Sequence, residues 1–234
     1  MRAILLAAGY GTRLRPLTNS MPKCLVPIHG KPLLGIWLER LSDAGIGPFL
    51  VNTHYLAEQV QEFVSASPYS DLVTLVHEPT LLGTAGTLMA NLDFFKGEDG
   101  LLIHADNYCL ADFREFVNAH RQRPPECLMT VMAFRTPTPS TCGILELDER
   151  GVVVGFHEKV ANPPGDLASG AIYLLSSEFL EIARDQLKSF NDFSTQIIPS
   201  LIRHIFAYKT GSTFIDIGNQ SSYDRANSRL TSES

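Results

Sequence analysis

The strongest constraint on this chain is a rhythm. Mainly apolar runs, without strict alternation, fall at residues 3–8, 49–53, 72–77 and 101–105, and stretches with helical spacing lie between them. A strand with one face in water alternates apolar and polar residues, whereas a strand covered on both faces reads as a continuous run. Such runs separated by helices define a parallel sheet with helices on both sides. The helical stretches are 32–44, with Pro32 near its start and Gly45 just past its end, then 56–66, 84–95 and 111–121. Leu56, Val60, Phe63 and Val64 share one face of the second, and Ala85, Leu88, Met89, Leu92 and Phe95 share one face of the third. The expected fold class is α/β, doubly wound.

The rhythm changes after Pro124-Pro125. Strands are expected over 127–135, 143–147, 152–158 and 169–175, with Asp148-Glu149-Arg150-Gly151 as the turn of a hairpin. Helices follow over 177–187 and 194–204, late strands over 206–209 and 213–217, and a closing helix over 223–230. The sheet is therefore mixed: mostly parallel, with antiparallel hairpin insertions in the second half. At 234 residues the chain fits a single domain, 1–234, read as two halves, 1–125 and 126–230. No internal repeat is visible, and 231–234 form a ragged tail.

Charge and cysteines narrow the function. A formal charge of −6 and a pI near 5.6 speak against a broad grip on nucleic acid, although a basic pocket is compatible with an acidic whole. Cys24, Cys109, Cys127 and Cys142 include no CxxC pair and read as reduced thiols of a cytoplasmic protein. The seven histidines show no HxH or HxxxH spacing that would indicate zinc. The first apolar run is too short for a secretory leader, and no run approaches the ~20 residues of a membrane span.

The chemistry concentrates in residues 2–28. The first apolar run stops on Gly9-Tyr10-Gly11, and Thr12, Arg13, Arg15 and Lys23 follow, with Pro16, Pro22 and Pro27 fixing the path. A strand, a glycine turn and then fixed positive charge suit an anionic, phosphate-bearing ligand. A dinucleotide fingerprint would need Gly or Ala where Leu14 stands, and no Gly-Lys-Ser/Thr of a P-loop follows. A structural turn remains the plain alternative for a GxG alone. Long rigid loops, however, are more often functional than structural.

The segment from Leu6 through Gly9-Tyr10-Gly11-Thr12-Arg13-Leu14-Arg15-Pro16 to Pro22-Lys23-Cys24-Leu25-Val26-Pro27 resembles the signature of sugar-1-phosphate nucleotidyltransferases, with Cys24 where proline is usual. The likeness extends along the chain. Glu78 and Leu82-Gly83-Thr84-Ala85-Gly86 resemble the nucleobase segment, and Ala105-Asp106-Asn107 the metal-binding aspartate. Phe156-His157-Glu158-Lys159 resembles the sugar-phosphate motif, Ser169-Gly170-Ala171-Ile172-Tyr173 a motif that usually starts with asparagine, and Phe214-Ile215-Asp216-Ile217-Gly218 a second metal aspartate. The resemblance leans towards mannose-1-phosphate or heptose-1-phosphate guanylyltransferases, with thymidylyl- and uridylyltransferases sharing most of these residues.

That resemblance implies a Rossmann-like fold and a reaction between a nucleoside triphosphate (NTP) and a sugar 1-phosphate. It also implies roles. Ala8, Gly9, Gly11, Thr12, Arg13, Lys23, Glu78 and Gly83 would hold the nucleotide. Asn107, Gly143, Glu158, Lys159 and Ser169 would hold the sugar phosphate, and Asp106 and Asp216 a Mg²⁺ ion. Arg13, Lys23, Asp106 and Asp216 would carry catalysis, with 1–125 mainly nucleotide-binding and 126–230 mainly sugar-phosphate-binding. No nucleic acid or membrane partner is expected, a homodimer is allowed, and no C-terminal β-helix with acetyltransferase activity is expected. A non-catalytic nucleotide-sugar-binding subunit of the same fold is the alternative from another class.

Physical checks accompany these roles. Asp106 follows directly on an apolar strand, at the sheet edge where α/β proteins bind ligands. Strand alternation sets Asp216 opposite Ile215 and Ile217. Glu158 ends a row begun by Val152, Val154 and Phe156. Its neighbour Lys159 would point the other way on a regular strand, so both serve one ligand only if the strand bends or the lysine stem reaches round.

Overall fold

The computed structural model describes residues 1–228. In chain order the elements are β1 (Arg2–Leu6), β2 (Pro27–Ile28), β3 (Lys31–Pro32), α1 (Leu33–Asp43), β4 (Phe49–Thr53), α2 (Ala57–Ala66), β5 (Val73–His77), α3 (Gly83–Ala90), β6 (Gly100–His104) and β7 (Asn107–Cys109). They continue with α4 (Phe113–Arg121), β8 (Met129–Arg135), β9 (Gly143–Leu147), β10 (Val153–Glu158), β11 (Leu167–Leu175), α5 (Ser177–Gln186), α6 (Ile198–Ser200), β12 (Ile205–Lys209), β13 (Phe214–Asp216) and α7 (Gln220–Ser228).

One nine-stranded sheet organises the chain. β5, β4, β1 and β6 lie side by side and parallel as expected, although β5, at the edge, is only partly buried. Next to β6 the direction reverses: β11 runs antiparallel to both β6 and β8, and β12 runs parallel to β8. The β9–β10 hairpin joins β11 through Ala168 and Ile144. The expectation of a doubly wound, mostly parallel sheet with antiparallel insertions in the second half is met.

Alternation along β1 divides the core. Ala3 and Leu5 face a cluster completed by Trp37, Leu38 and Leu41 of α1, Val60 and Val64 of α2, and Phe113 and Phe116 of α4. Ile4 faces the other cluster, with Ala85 and Leu88 of α3 and Phe179, Leu180 and Ala183 of α5. At about 1.5–3 kcal/mol for each large apolar side chain buried, these clusters are the main source of stability. Helix ends are capped as the sequence allows: Asp112 accepts from the N–H groups of Arg114 and Glu115, and Ser176 from that of Phe179.

Several expectations need correction. The helix expected over 84–95 ends at Ala90, where the Asn91 side chain donates to the Thr87 carbonyl and a 3₁₀ turn, Leu92–Phe95, follows. The helix expected over 194–204 is a π turn, Phe193–Ile197, followed by the three residues of α6. Pro199 has no N–H to extend the helix, and Arg203 takes a positive φ. A bulge between Val153 and Gly155 breaks the row of Val152, Val154, Phe156 and Glu158. A short strand, β7, forms right after Asp106 and pairs antiparallel with β13, an element the sequence pattern does not mark. The closing helix begins at Gln220, and the last two residues of the expected 223–230 stretch, Arg229 and Leu230, lie outside the described residues.

Candidate active site

The site lies where β1, β4 and β6 end. After β1 the chain turns through Gly11, whose φ of +63° suits glycine. A Cβ there would also lie 3.0 Å from the Thr18 methyl and 3.1 Å from Lys23 Cβ. The Thr18 hydroxyl donates to the Gly11 carbonyl at 2.7 Å and pins the turn. Three 3₁₀ turns, Thr12–Leu14, Leu17–Asn19 and Lys23–Leu25, then carry the proline-rich segment back under the sheet edge. This return delivers Lys23, only 7% exposed, to Asp106, with Nζ 2.6 Å from Oδ2.

Asp106, near the middle of the sequence, and Asp216, near its C-terminal end, meet through the β7–β13 ladder. Asp216 is registered against Asn107, and the Ile217 N–H donates to the Asp106 carbonyl at 3.1 Å. Their carboxyls respond in opposite directions. Burial pushes Asp106 up, but the Lys23 ammonium, aided by His104, outweighs it and holds the carboxyl below the usual range. Asp216 opens onto a cavity, yet the surrounding walls desolvate it and the negative charge of Asp106 adds to the effect. Its carboxyl is raised against the pull of Lys23 and Arg13. Two carboxylates in mutual repulsion are a hard-oxygen donor set that fits a divalent cation. Among the described residues no group of three or more His, Cys, Asp or Glu could hold an ion by itself, so phosphate oxygens and water would complete the coordination.

A cavity of about 220 Å³ is lined by residues from 6 to 9, Lys23, Asn52, Glu78, Gly83, Thr87, His104 and Asp106. Its wall is a buried polar network. Asn52 accepts from the Ala7 N–H at 2.7 Å and donates to Glu78 at 2.9 Å. Glu78, 3% exposed, also accepts from the Thr87 hydroxyl at 2.5 Å and the Leu82 N–H at 3.1 Å. Gly83 has φ +80°, and a Cβ there would lie 2.2 Å from the Asn191 carbonyl oxygen. On the rim, the Tyr10 hydroxyl meets His54 Nε2 at 2.8 Å, and His54 Nδ1 meets the Glu78 carbonyl at 2.7 Å. The glycine turn and the Glu78 segment are therefore tied twice, once in the core and once at the surface.

The second-half residues form a patch of their own. Gly143 pairs with Glu158 across the β9–β10 hairpin, and a Cβ at Gly143 would collide with the Phe156 ring and the Glu158 carboxylate. Lys159 has φ +50°, a left-handed turn that brings its Nζ to within 2.9 Å of Glu158 Oε1. The strand does bend at this point, and the two neighbouring side chains meet. Ser169 Oγ lies 3.3 Å from the Tyr173 hydroxyl. The Tyr173 ring packs edge-on to His104 at 6.4 Å, which links the patch to Asp106. Asn107 commits its amide to the carbonyls of His104 and Gly170, at 3.2 and 3.0 Å, beside the register shift in β11 between Ser169 and Tyr173.

Asn52, Thr87, His104 and Tyr173 line or support the site without having been singled out. A signal existed for two of them: Asn52 and His104 interrupt apolar strands, and buried polar groups need partners. His104 Nε2 is buried without one, and burial holds its pKa below the ordinary histidine value despite the nearby Asp106 and Asp216. Among the described residues no helix is long and apolar enough to cross a membrane.

Comparison with known proteins supplies a frame for this geometry. The nucleotidyl transferase family profile matches residues 2–233. A glucose-1-phosphate thymidylyltransferase of Streptomyces griseus is 33% identical over 177 residues, covering 75% of this chain and 49% of the relative. The mannose-1-phosphate guanylyltransferase catalytic subunit beta of Drosophila pseudoobscura pseudoobscura is 31% identical over 223 residues, covering 93% of this chain and 59% of the relative. The chain thus spans about half to three fifths of the length of these relatives. The crystal structure of HddC from Yersinia pseudotuberculosis complexed with GMP-PN superposes with a TM-score of 0.81 at 25% identity, covering 98% of this chain and 99% of HddC.

Proposed function

The chain belongs to the nucleotidyl transferase family, and from that premise we propose that it transfers a nucleotidyl group from an NTP to a sugar 1-phosphate, releasing pyrophosphate and an NDP-sugar. The observation that carries this reading is the convergence of Lys23 on Asp106, beside Asp216 and the Gly11 turn.

The acceptor phosphate is the nucleophile. A phosphate monoester, with a second pKa near ~6, is mostly dianionic at neutral pH, so no general base is needed. Its oxygen bonds to the α-phosphorus as the α–β bridging bond breaks, and both electrons of that bond leave with pyrophosphate. The obstacle is repulsion between anions, and catalysis is charge neutralisation and in-line positioning. Backbone N–H groups of residues 9–12 receive the triphosphate, Arg13 the departing pyrophosphate and Lys23 the α-phosphate. Glu78 and Gly83 shape the base pocket, and Gly143, Glu158, Lys159 and Ser169 receive the sugar phosphate. Asp106 and Asp216 would hold Mg²⁺, which when bound supplies positive charge at the reacting phosphates.

For the base and sugar, GTP with mannose 1-phosphate or a related hexose or heptose 1-phosphate is the preferred pair. Support comes from the guanylyltransferase relative and from HddC, whose structure contains GMP-PN. The thymidylyltransferase relative favours a second reading, dTTP or UTP with glucose 1-phosphate or an amino-sugar 1-phosphate. Retention of Arg13, Lys23, Asp106 and Asp216 weighs against a purely regulatory subunit. The free thiols fit a cytoplasmic setting. The test is pyrophosphate release from a matrix of five NTPs and several sugar 1-phosphates. Dominant GTP with mannose 1-phosphate is expected. Activity confined to UTP or dTTP would transfer the assignment to the second reading, and no release from any pair would refute the transferase itself.

A further inference from the structure

A second cavity, about 850 Å³, opens at Asp216 and lies between the loops at 136–142 and 210–213 and the helix α7. Its charge is unlike that of the chain. The whole sequence has 25 Asp and Glu against 19 Lys and Arg, whereas among the described residues four basic ones, Arg13, Arg135, Lys209 and Arg225, line this cavity with Asp216 the single acid. Arg135 is paired with Asp166. Arg13, Lys209 and Arg225 make no ion pair among the described residues. Unpaired cations on concave walls focus a positive potential, and Thr136, Thr138 and Ser212 add hydroxyl groups able to bond phosphate oxygens.

Direction follows from the two cavities together. The smaller one takes residues 6–9, Lys23 and Glu78 as its lining, while the larger begins at Arg13. A nucleotide with its nucleoside in the first and its phosphates along the 9–13 turn points its terminal phosphates at the second. Glu158, Lys159 and Ser169 line neither cavity, and of the residues beside them only Cys142 and Leu167 reach the larger one. We propose that this cavity is the exit site for inorganic pyrophosphate, with Lys209 and Arg225 as binding residues beyond Arg13. The proposal rests on the transferase reading above.

The test is the reverse reaction, in which pyrophosphate attacks the NDP-sugar identified by the substrate matrix and yields NTP and sugar 1-phosphate. Lys209→Ala and Arg225→Ala should each raise the KM for pyrophosphate about 3- to 10-fold, as expected for one lost charge-assisted contact at a wet site. The KM for the NDP-sugar should stay unchanged, and Arg225→Lys should recover most of the loss. Both positions are exposed, so folding is not at stake. An unaltered pyrophosphate KM in both variants overturns the proposal. So does a rise in the KM for sugar 1-phosphate instead, which would assign the cavity to the acceptor. Should the wild type catalyse no transfer, calorimetric titration with pyrophosphate decides. Binding that is lost in the double variant supports the site, and absence of binding removes it.

Discussion

Gly83 offers the sharpest check on the proposed nucleotide pocket. Its φ of +80° is unfavourable for any residue with a Cβ, at a cost of about 1–2 kcal/mol. The Cβ of Gly83→Ala would lie 2.2 Å from the Asn191 carbonyl oxygen, a main-chain atom that has no rotamer to retreat to. Relief requires the 191–193 segment to move, which weakens the 3.1 Å bond from Ala85 N–H to that carbonyl and the 2.8 Å bond from Phe193 N–H to Thr84 Oγ1. Each is worth about 1 kcal/mol, so the substitution should cost about 2–4 kcal/mol in total. For a chain of 234 residues that is a fall of about 5–15 °C in Tm. Gly9 is the matched control, because a Cβ there has no neighbour within 4 Å. Gly9→Ala should change stability by less than about 0.5 kcal/mol while raising the KM for NTP. Paired thermal melts and steady-state kinetics make the comparison. A Gly83→Ala melt within about 2 °C of wild type, or equal destabilisation by the two variants, would refute the reasoning.

Three further outcomes are expected. Asp216→Asn should raise the Tm in EDTA while lowering nucleotidyl transfer by about 10²-fold or more, because its raised carboxyl shows that the fold disfavours the charge it carries; a lower Tm in EDTA would contradict this. On the acid side, His120 is wholly buried against Thr130 and burial lowers its pKa, so below 6.5 the unfolded chain takes up the proton first. Stability should therefore decline as pH falls through that value, and urea midpoints should show a flatter profile in His120→Gln. Finally, burial raises the thiols of Cys24 to about 12 and of Cys109 and Cys127 to about 11. Native alkylation at pH 8, followed by mass spectrometry, should label Cys142 first, and rapid labelling of Cys24 would count against the fold around Lys23.

The parallel half was legible because burial on both faces favours mainly apolar strands without alternation, and 49–53 in the sequence is β4, Phe49–Thr53, in the structure. The glycine turn and both aspartates were legible as positions, and the resemblance paired the aspartates on one Mg²⁺, but the backbone contact that joins them was not legible. What unites Asp106 with Asp216 is a three-residue ladder, too short to imprint a period on Asn107–Cys109. The Glu158–Lys159 tension was visible as a conflict with strand alternation, yet its resolution by a left-handed lysine leaves no mark in residue type. The helix expected over 194–204 failed where apolar spacing persisted but Pro199 and the Asp192 side chain redirected the backbone hydrogen bonds. The Asn52–Glu78–Thr87 network is a product of strand and helix ends meeting, which one-dimensional spacing does not record.

The place of β11 has a mechanical consequence. It is hydrogen-bonded to β6 from the first half and to β8 from the second, so the two halves are joined in one sheet. Swinging one half against the other would break those bonds, which gives the molecule no hinge of the kind that two separate lobes possess. Opening and closing around substrates then fall to the loops at the sheet edge, while the strands serve as a stiff chassis. Structures of the free and ligand-loaded protein should accordingly coincide strand for strand.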